Sequence, residues 1–192
     1  MAEVKVALNL NRSLTGDQAI APAPAVTGNV DRAAGASARK ELERALQQLR
    51  RSVLASDDPR VIVVMSCFPG EGVSTIASGL AGAASEVRKP VVFIDASDPN
   101  GTGRDGASLR AGVNAAREKG SSVVVDGGSL QGKASALDLY GIADGVVLVI
   151  EAGRCHPNDA SEATDLLRRS GLPVLGAVIN RSRPVLPAFL GD

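Results

Sequence analysis

The sequence predicts a three-layer α/β domain, in which a parallel sheet is covered by helices on both faces. Short runs of β-branched and aliphatic residues alternate with longer stretches of helical spacing, and this alternation is typical of right-handed βαβ units. Hydrophobic residues make up 44% of the 192 positions, but aromatic residues only 2%. The core must therefore be aliphatic, which suits parallel strands buried beneath helices.

The predicted strands and helices follow one another in a regular order. Strands buried on both faces are predicted at residues 61–65, 91–94, 123–125, 146–150 and 174–179. Helices are predicted at residues 74–87, 107–119 and 158–170, with a shorter one near residues 134–142. Each of these helices falls between two strands, as the βαβ arrangement requires.

The folded domain is predicted to extend over residues 38–187. Residues 1–37 are rich in Ala, Pro, Gly and Asn without a sustained period, which predicts a flexible tail, and residues 188–192 are expected to form a second tail. Over residues 38–55 apolar residues recur at helical spacing among charged ones, so an amphipathic helix is expected. This helix has two interpretations: it packs on the domain, or it forms an interface with a partner or a second copy.

Charge and cysteine content exclude several classes of protein. The 21 basic residues balance 21 acidic ones, so no nucleic acid partner is expected, because such proteins usually carry a basic excess. Two cysteines, Cys67 and Cys155, are too few for a disulfide scaffold and favour a reducing cytoplasm. Cys155 and His156 are expected to lie in a solvent-facing loop. With no apolar stretch typical of a signal peptide or a membrane span, we expect a soluble, cytoplasmic protein.

A glycine-rich turn follows the first of the predicted strands. Residues 67–75 read CFPGEGVST, close to the pattern G-x-x-x-x-G-K-[ST], in which the lysine reaches the β- and γ-phosphates and Ser or Thr binds Mg²⁺. Gly70 and Gly72 allow backbone N–H groups to converge on an anion at the start of the next helix. Ser74 and Thr75 are present, but Val73 takes the place of the lysine.

The loss of the lysine weakens this motif. A charge-assisted hydrogen bond contributes about 1.5–3 kcal/mol, so phosphate binding is expected to fall by roughly one to two orders of magnitude. Removing a cation that meets developing charge would also slow phosphoryl transfer. Two interpretations follow: a weakened phosphate loop, or a glycine-rich turn that binds nothing.

Two carboxylates support the first interpretation. Asp95 ends the second predicted strand and Asp126 the third, and the carboxyl ends of parallel strands line the ligand crevice of such sheets. One carboxylate there can orient a nucleophile or a water molecule, and the other can hold Mg²⁺ through its waters. The alternative is that each caps a turn. Asp95 and Asp126 are therefore catalytic candidates and, with Ser74, candidate magnesium ligands.

From about residue 40 to residue 187 the sequence resembles the cytoplasmic kinase domain of bacterial tyrosine kinases of the polysaccharide co-polymerase type, which are relatives of the deviant-Walker P-loop ATPases. The segment KELERALQQLRR is similar to the family's E-x-x-R-x-x-R oligomerisation helix, with Glu41 and Arg44 matching and Gln47 in place of the last arginine. DPRVIVVMSCFPGEGVSTIASGLA is similar to the family's strand and P-loop, and ADGVVLVIEAGRCHPNDASEATDLLRRSGLPVLGAVINR fits throughout.

The resemblance implies a P-loop NTPase-like fold and a ligand, ATP or ADP with Mg²⁺, that is bound weakly or not at all. Asn180 and Arg181 lie where the family contacts the adenine base. The loop residues that would hold the phosphates are Pro69, Gly70, Glu71, Gly72, Val73, Ser74 and Thr75. The implied partners are a membrane-anchored polysaccharide co-polymerase or another export component, met at the inner face of the membrane, and a second copy of the chain bound through the helix at residues 38–55.

The departures from the family pattern remove groups that phosphoryl transfer needs. Ser97 replaces the second acid of the D-x-D motif that begins at Asp95, and the proline of the Walker B motif at Asp126 is absent. Only 30 residues separate these two aspartates, fewer than in the family, and the tyrosine-rich C-terminal tail is missing. The one tyrosine, Tyr140, is expected to be packed inside the domain.

These departures favour a degenerate kinase-like protein, a regulatory or scaffolding component of exopolysaccharide or capsule biosynthesis and export with weak or no ATP hydrolysis. The alternative is an active ATP-dependent autokinase or ATPase in which another cation, such as Lys89 or Arg104, replaces the lost lysine. A positioning ATPase of the partitioning type is a third hypothesis, but Phe68 stands where its signature lysine is required.

Overall fold

The computed structural model of the chain describes residues 2–8, 26–30, 35–55, 58–86, 90–97, 106–131 and 138–182. The strands in these ranges are β1 (Ala2–Leu8), β2 (Val26–Val30), β3 (Val61–Ser66), β4 (Val91–Asp95), β5 (Ser122–Ser129), β6 (Gly145–Glu151) and β7 (Val174–Ser182). The helices are α1 (Gly35–Val53), α2 (Val73–Ser85), α3 (Gly106–Glu118) and α4 (Pro157–Arg169). The strands form one sheet in the order β2-β1-β7-β6-β3-β5-β4.

The five strands predicted from the sequence, β3 to β7, run parallel to one another. All six residues of the central strand β3 are buried, and the five apolar ones, residues 61–65, alternate between two hydrophobic clusters. Ile62 and Val64 pack in a cluster with buried residues of α1 and α2, whereas Val61, Val63 and Met65 pack with those of α3 and α4. A parallel sheet covered by helices on both faces, the predicted fold class, is thereby confirmed.

Strand β4 differs from the prediction that every strand is buried on both faces. Val92 is 36% exposed and Phe93 41% exposed. The reason is position, because β4 is the last strand of the sheet and among the described residues it pairs only with β5. Its apolar sequence therefore does not report burial.

The N-terminal region corrects the flexible tail predicted for residues 1–37. Strand β1 pairs in antiparallel fashion with β2 and with β7, and so extends the sheet beyond the parallel core. The segment EVKVAL alternates apolar and polar residues, a period typical of strands, and α1 begins at Gly35 rather than at residue 38. Residues 9–25 and the predicted tail at residues 188–192 lie outside the described residues.

The segment before β6 holds two further corrections. Of the short helix predicted near residues 134–142, the described part contains only a single 3₁₀ turn at Asp138 and Leu139. Tyr140, expected to be packed, is 62% exposed, and the Arg110 guanidinium lies 5.8 Å from the centre of its ring. In the part of the chain that the structure describes, no helix is long and apolar enough to cross a membrane.

Candidate functional site

A crevice of about 380 Å³ opens where β3 and β5 end and α2 begins. This is the edge at which open parallel sheets bind their ligands. The residues that line it are Ser66, Pro69, Gly70, Gly72, Val73, Ser74, Thr75, Ser97, Gly127, Gly128 and Ser129. The crevice therefore gathers six of the seven loop residues predicted to hold phosphate.

The loop around the crevice has a backbone suited to anions. Gly70 and Gly72 adopt left-handed conformations, with φ of 83° and 98°, which residues with a side chain adopt rarely. Gly72 is the N-cap of α2, and no side chain caps the helix there. Because the first N–H groups of a helix lack partners within the helix and lie at its positive end, this end of α2 can receive an anion.

Val73 supplies no charge to this site. Its side chain is only 7% exposed and belongs to the hydrophobic cluster beneath α1 and α2. The neighbouring Ser74 and Thr75 are exposed and line the crevice. The position that carries lysine in the usual motif is thus part of the aliphatic core, while the hydroxyl positions stay accessible.

Glu71 has a role that the sequence did not reveal. Its carboxylate is fully buried, accepts a hydrogen bond from the Phe68 N–H at 2.8 Å, and accepts another from the Glu151 N–H at 3.0 Å. The carboxylate is not among the groups that line the crevice. It ties the loop to the end of β6, so the Glu71 side chain braces the loop rather than lining the crevice.

Asn180 and Arg181, at the end of β7, also contact the loop. The Asn180 amide donates to the Glu71 carbonyl at 2.8 Å, and a Cβ atom added to Gly72 would collide with that amide. The Arg181 guanidinium donates to the Gly70 carbonyl at 3.2 Å. Both residues thus brace the phosphate loop, and their contact with an adenine base stays a prediction.

The two candidate carboxylates are register partners on the adjacent strands β4 and β5. Asp95 is exposed, and its Oδ1 accepts hydrogen bonds from both the N–H and the hydroxyl of Ser97, at 2.9 and 2.7 Å. Asp126 is fully buried, and its Oδ1 accepts from the Gly128 N–H at 3.0 Å. Among the described residues, Oδ2 of Asp126 has no hydrogen-bond partner.

This unpaired oxygen fits a cation or the water bound to one. A buried polar atom without a partner is costly, and Asp126 directly precedes two glycines that line the crevice. No group of three or more His, Cys, Asp or Glu side chains within the described ranges could hold a metal ion. A magnesium ion beside Asp126 and Ser74 would therefore need phosphate oxygens and waters to complete its shell, as Mg²⁺ commonly does.

The two cysteines meet at the base of the loop, although 87 residues separate them in the sequence. Cys67 is buried and its thiol interacts with that of Cys155, which is half-buried rather than solvent-facing as predicted. Burial, followed by the neighbouring thiol, raises the pKa of Cys67 far above its usual range. Burial also raises the pKa of Cys155. Both thiols therefore stay protonated at neutral pH, while His156 is exposed and caps α4.

The remaining predicted residues lie away from the crevice or outside the described residues. Arg44 is exposed on α1, whereas the side chain of Glu41 lies outside the described part of the chain. Lys89 and Arg104, proposed as replacement cations, fall in segments that the structure does not describe. Within the described ranges, the guanidinium groups of Arg154 and Arg181 lie against the loop at Gly70.

Comparison with solved structures identifies the fold. The VpsO kinase domain superposes with a TM-score of 0.61 at 18% identity, covering 76% of this chain and 98% of that one. The BceF tyrosine kinase domain gives 0.57 at 17% identity over 73% and 76% of the two chains. The kinase domain of the Escherichia coli tyrosine kinase Etk gives 0.53 at 16% identity over 79% and 80%.

The fold is that of bacterial tyrosine kinase domains, and the resemblance predicted from residues 40–187 is confirmed at that level. No protein-family model matches the sequence, and no curated protein matches it.

Proposed function

We propose that this chain, which has the fold of bacterial tyrosine kinase domains, binds a nucleoside polyphosphate but transfers its phosphoryl group poorly or not at all. The observation that carries this proposal is the burial of the Val73 side chain in the core at the lysine position. A lysine there would meet the charge that develops in the transition state. The aliphatic side chain of Val73 carries no charge and leaves that developing charge unmet.

Three features of the crevice support retained binding. The loop keeps two glycines in the left-handed conformation. Among the described residues, no side chain caps α2 and Oδ2 of the buried Asp126 has no partner. In this proposal the backbone of residues 69–75 binds the phosphates. Ser74 and the two aspartates, Asp95 and Asp126, orient a magnesium ion. The bound nucleotide would supply the phosphoryl group and the metal its positive charge.

The carboxylates also support weak transfer. In the family pattern a second acid stands two residues after Asp95, but here Ser97 donates both its N–H and its hydroxyl to the Asp95 carboxylate. These bonds hold Asp95 in a local turn and engage its Oδ1 within the chain. The second carboxylate, which would help to hold a magnesium ion beside the phosphates, is replaced by a hydroxyl.

We place this activity in exopolysaccharide or capsule biosynthesis and export, as a regulatory or scaffolding component in the cytoplasm. Its proposed partner is a membrane-anchored polysaccharide co-polymerase or another export component at the inner face of the membrane. Helix α1 suits a second role in self-association: its buried residues, among them Leu46 and Leu49, pack on the domain, while Arg44 on another face of the helix is exposed.

The second candidate is an active autokinase or ATPase that uses a replacement cation. The observation that favours it is the contact of Arg181 with Gly70, since this arginine is close enough to the loop to donate to its backbone. The two candidate functions share a nucleoside polyphosphate as ligand and differ in the rate of phosphoryl transfer. Phosphate release or tyrosine phosphorylation at ordinary kinase rates would favour the second.

Two measurements on the purified native chain test the proposal. We expect isothermal calorimetry with Mg·ADP to show saturable binding that is weak, with Kd about 0.1–1 mM, because a lysine contact is missing. We expect phosphate release from Mg·ATP to stay at the background of a heat-denatured sample. Rapid release would contradict the transfer-deficient assignment, and no binding at millimolar nucleotide would contradict the binding assignment.

A further inference from the structure

We propose that Arg154 and Arg181, held against Gly70 by Glu151, form the cationic anchor for the phosphates of a nucleoside polyphosphate at this loop. This inference rests on the proposed function and names how its site holds its ligand. The Arg181 Nη1 donates to the Gly70 carbonyl at 3.2 Å. The Arg154 Nη1 lies 3.6 Å from the point where a Cβ atom on Gly70 would stand.

Both guanidinium groups are fixed by one carboxylate. Oε2 of Glu151 lies 3.0 Å from Arg181 Nη1 and 3.5 Å from Arg154 Nη1. Glu151 is itself held, because its N–H donates to the buried carboxylate of Glu71 inside the loop. The two arginines are therefore connected to the phosphate loop through a chain of hydrogen bonds and ion pairs rather than lying near it by chance.

The backbone conformation of Arg181 also indicates that this residue is held in place. Among the described residues, Arg181 is the one non-glycine residue with positive φ, at 56°. Left-handed backbone is uncommon for residues with a side chain and is concentrated at sites where the surroundings hold it in place. Here the side-chain oxygen Oδ1 of Asn180 accepts a hydrogen bond from the Arg181 N–H, and the Gly70 carbonyl accepts one from the Arg181 guanidinium.

The charge at this point suits a di- or triphosphate. Two guanidinium groups share one Glu151 carboxylate beside Gly70, which lines the crevice, and each guanidinium has five N–H donors, more than this carboxylate and the Gly70 carbonyl can accept. The arginine side chains are 48% and 52% exposed, so they can turn from the loop to a phosphate oxygen without losing a buried contact. Arginine pairs well with phosphate because its planar fork can donate two parallel hydrogen bonds.

This anchor differs from a P-loop lysine in where it acts. The lysine position is at the start of α2 among the lining residues, whereas neither arginine is one of those residues and both approach the crevice at Gly70. We therefore expect them to strengthen binding of the ground state and to leave phosphoryl transfer slow.

The test is calorimetric affinity for ADP and for adenosine in the native chain and in four variants. Arg154→Gln and Arg181→Gln should each weaken ADP binding about tenfold, the loss expected for one charge-assisted hydrogen bond. Arg154→Lys, which keeps the charge, should stay within about threefold of the native chain. The control Arg168→Gln removes an exposed arginine at the far end of α4 and should change nothing.

Adenosine separates a charge effect from damage to the loop. The glutamine variants should lose less affinity for adenosine than for ADP, because adenosine carries no phosphate, and Arg154→Gln, which is not a predicted adenine contact, should bind adenosine as the native chain does. Equal losses for ADP and adenosine would overturn the inference, as would glutamine variants that bind ADP with native affinity; in both cases the proposed function would stand. Failure of the native chain itself to bind ADP or inorganic tripolyphosphate would overturn the proposed function and this inference with it.

Discussion

The two sides of the crevice are held together in different ways. The loop side consists of residues 69–75 and is braced by side-chain hydrogen bonds. The Glu71 carboxylate accepts from the Phe68 N–H, and the Asn180 and Arg181 side chains donate to backbone carbonyls of the loop. The carboxylate side consists of Asp95, Ser97 and Asp126, and there one buried oxygen is left without a partner among the described residues. The groups that brace the loop side thus find hydrogen-bond partners within the chain, whereas the carboxylate side, in the part of the chain described, leaves one buried oxygen without a partner.

Under the proposed function, this difference identifies the part of the site that can lose its chemistry and keep its shape. On the loop side the shape depends on the backbone and on groups behind it, so a change at Val73 leaves the loop intact. On the carboxylate side the arrangement depends on side chains: Ser97 lines the crevice and donates to Asp95, so a change at Ser97 alters what Asp95 can do. We therefore expect mutations of Glu71 and Gly72, which set the shape of the loop, to act mainly on stability, and mutations on the carboxylate side to act mainly on metal-dependent binding.

The largest effect is expected when the brace of the loop is removed. Glu71→Ala removes the acceptor of the half-buried N–H groups of Phe68 and Glu151, and each buried donor without an acceptor costs about 1–3 kcal/mol. We expect the free energy of unfolding to fall by about 3 kcal/mol in urea titrations. Glu118→Ala, at the exposed end of α3, is the matched control and should stay within about 0.5 kcal/mol of the native value. Equal effects of the two changes would show that the loop is not braced by Glu71.

A smaller loss of stability is expected when a single methyl group is added to the loop. Gly72→Ala places a Cβ in a left-handed residue and against the Asn180 amide, so we expect a loss of about 1–3 kcal/mol. Gly82→Ala makes the same change inside α2, where nothing lies within 4 Å of the added atom, and should stabilise the protein by about 0.5–1 kcal/mol. Thermal unfolding of both variants measures the difference, and a shift of the same sign would contradict the loop geometry.

Mutations on the carboxylate side should change metal-dependent ligand binding rather than stability against denaturant. In Asp126→Asn, Oδ1 can still accept from the Gly128 N–H, but the charge that would attract Mg²⁺ is gone. We expect Mg²⁺ to tighten ADP binding by about tenfold in the native chain, or ~1.4 kcal/mol, and not in the variant. Calorimetry with and without EDTA measures both, and Asp165→Asn on α4 is the control. A magnesium effect that survives in Asp126→Asn would place the metal elsewhere.

The parallel core was predictable from the sequence because burial on two faces imposes a continuous aliphatic pattern. Strands β3, β5, β6 and β7 each follow from such a run, and the helices between them follow from their spacing. The same pattern failed for β4, because an edge strand can be apolar and still be exposed. The prediction was also wrong for β1, because its short alternating segment lies next to a Pro- and Gly-rich stretch that indicates a flexible tail.

The brace of the loop was not predictable, because it joins residues that are distant in sequence. Glu71 bonds to residues 80 and 109 positions further along the chain, and no local pattern marks a glutamate as buried. The same holds for the contact of Cys67 with Cys155. The glycines of the loop and the two aspartates at strand ends were found because their roles depend on local backbone geometry, which a short motif does encode.

The most direct test of the central claim is a comparison of the native chain with Val73→Lys in Mg·ATP binding and phosphate release. We expect the lysine variant to bind Mg·ATP roughly 10–100-fold more tightly, as one restored charge-assisted contact implies, and to release phosphate measurably faster. Val73→Met, unbranched but apolar, should match the native chain in both. A native chain that already releases phosphate as fast as the lysine variant would contradict the claim that the burial of Val73 has removed the transfer activity.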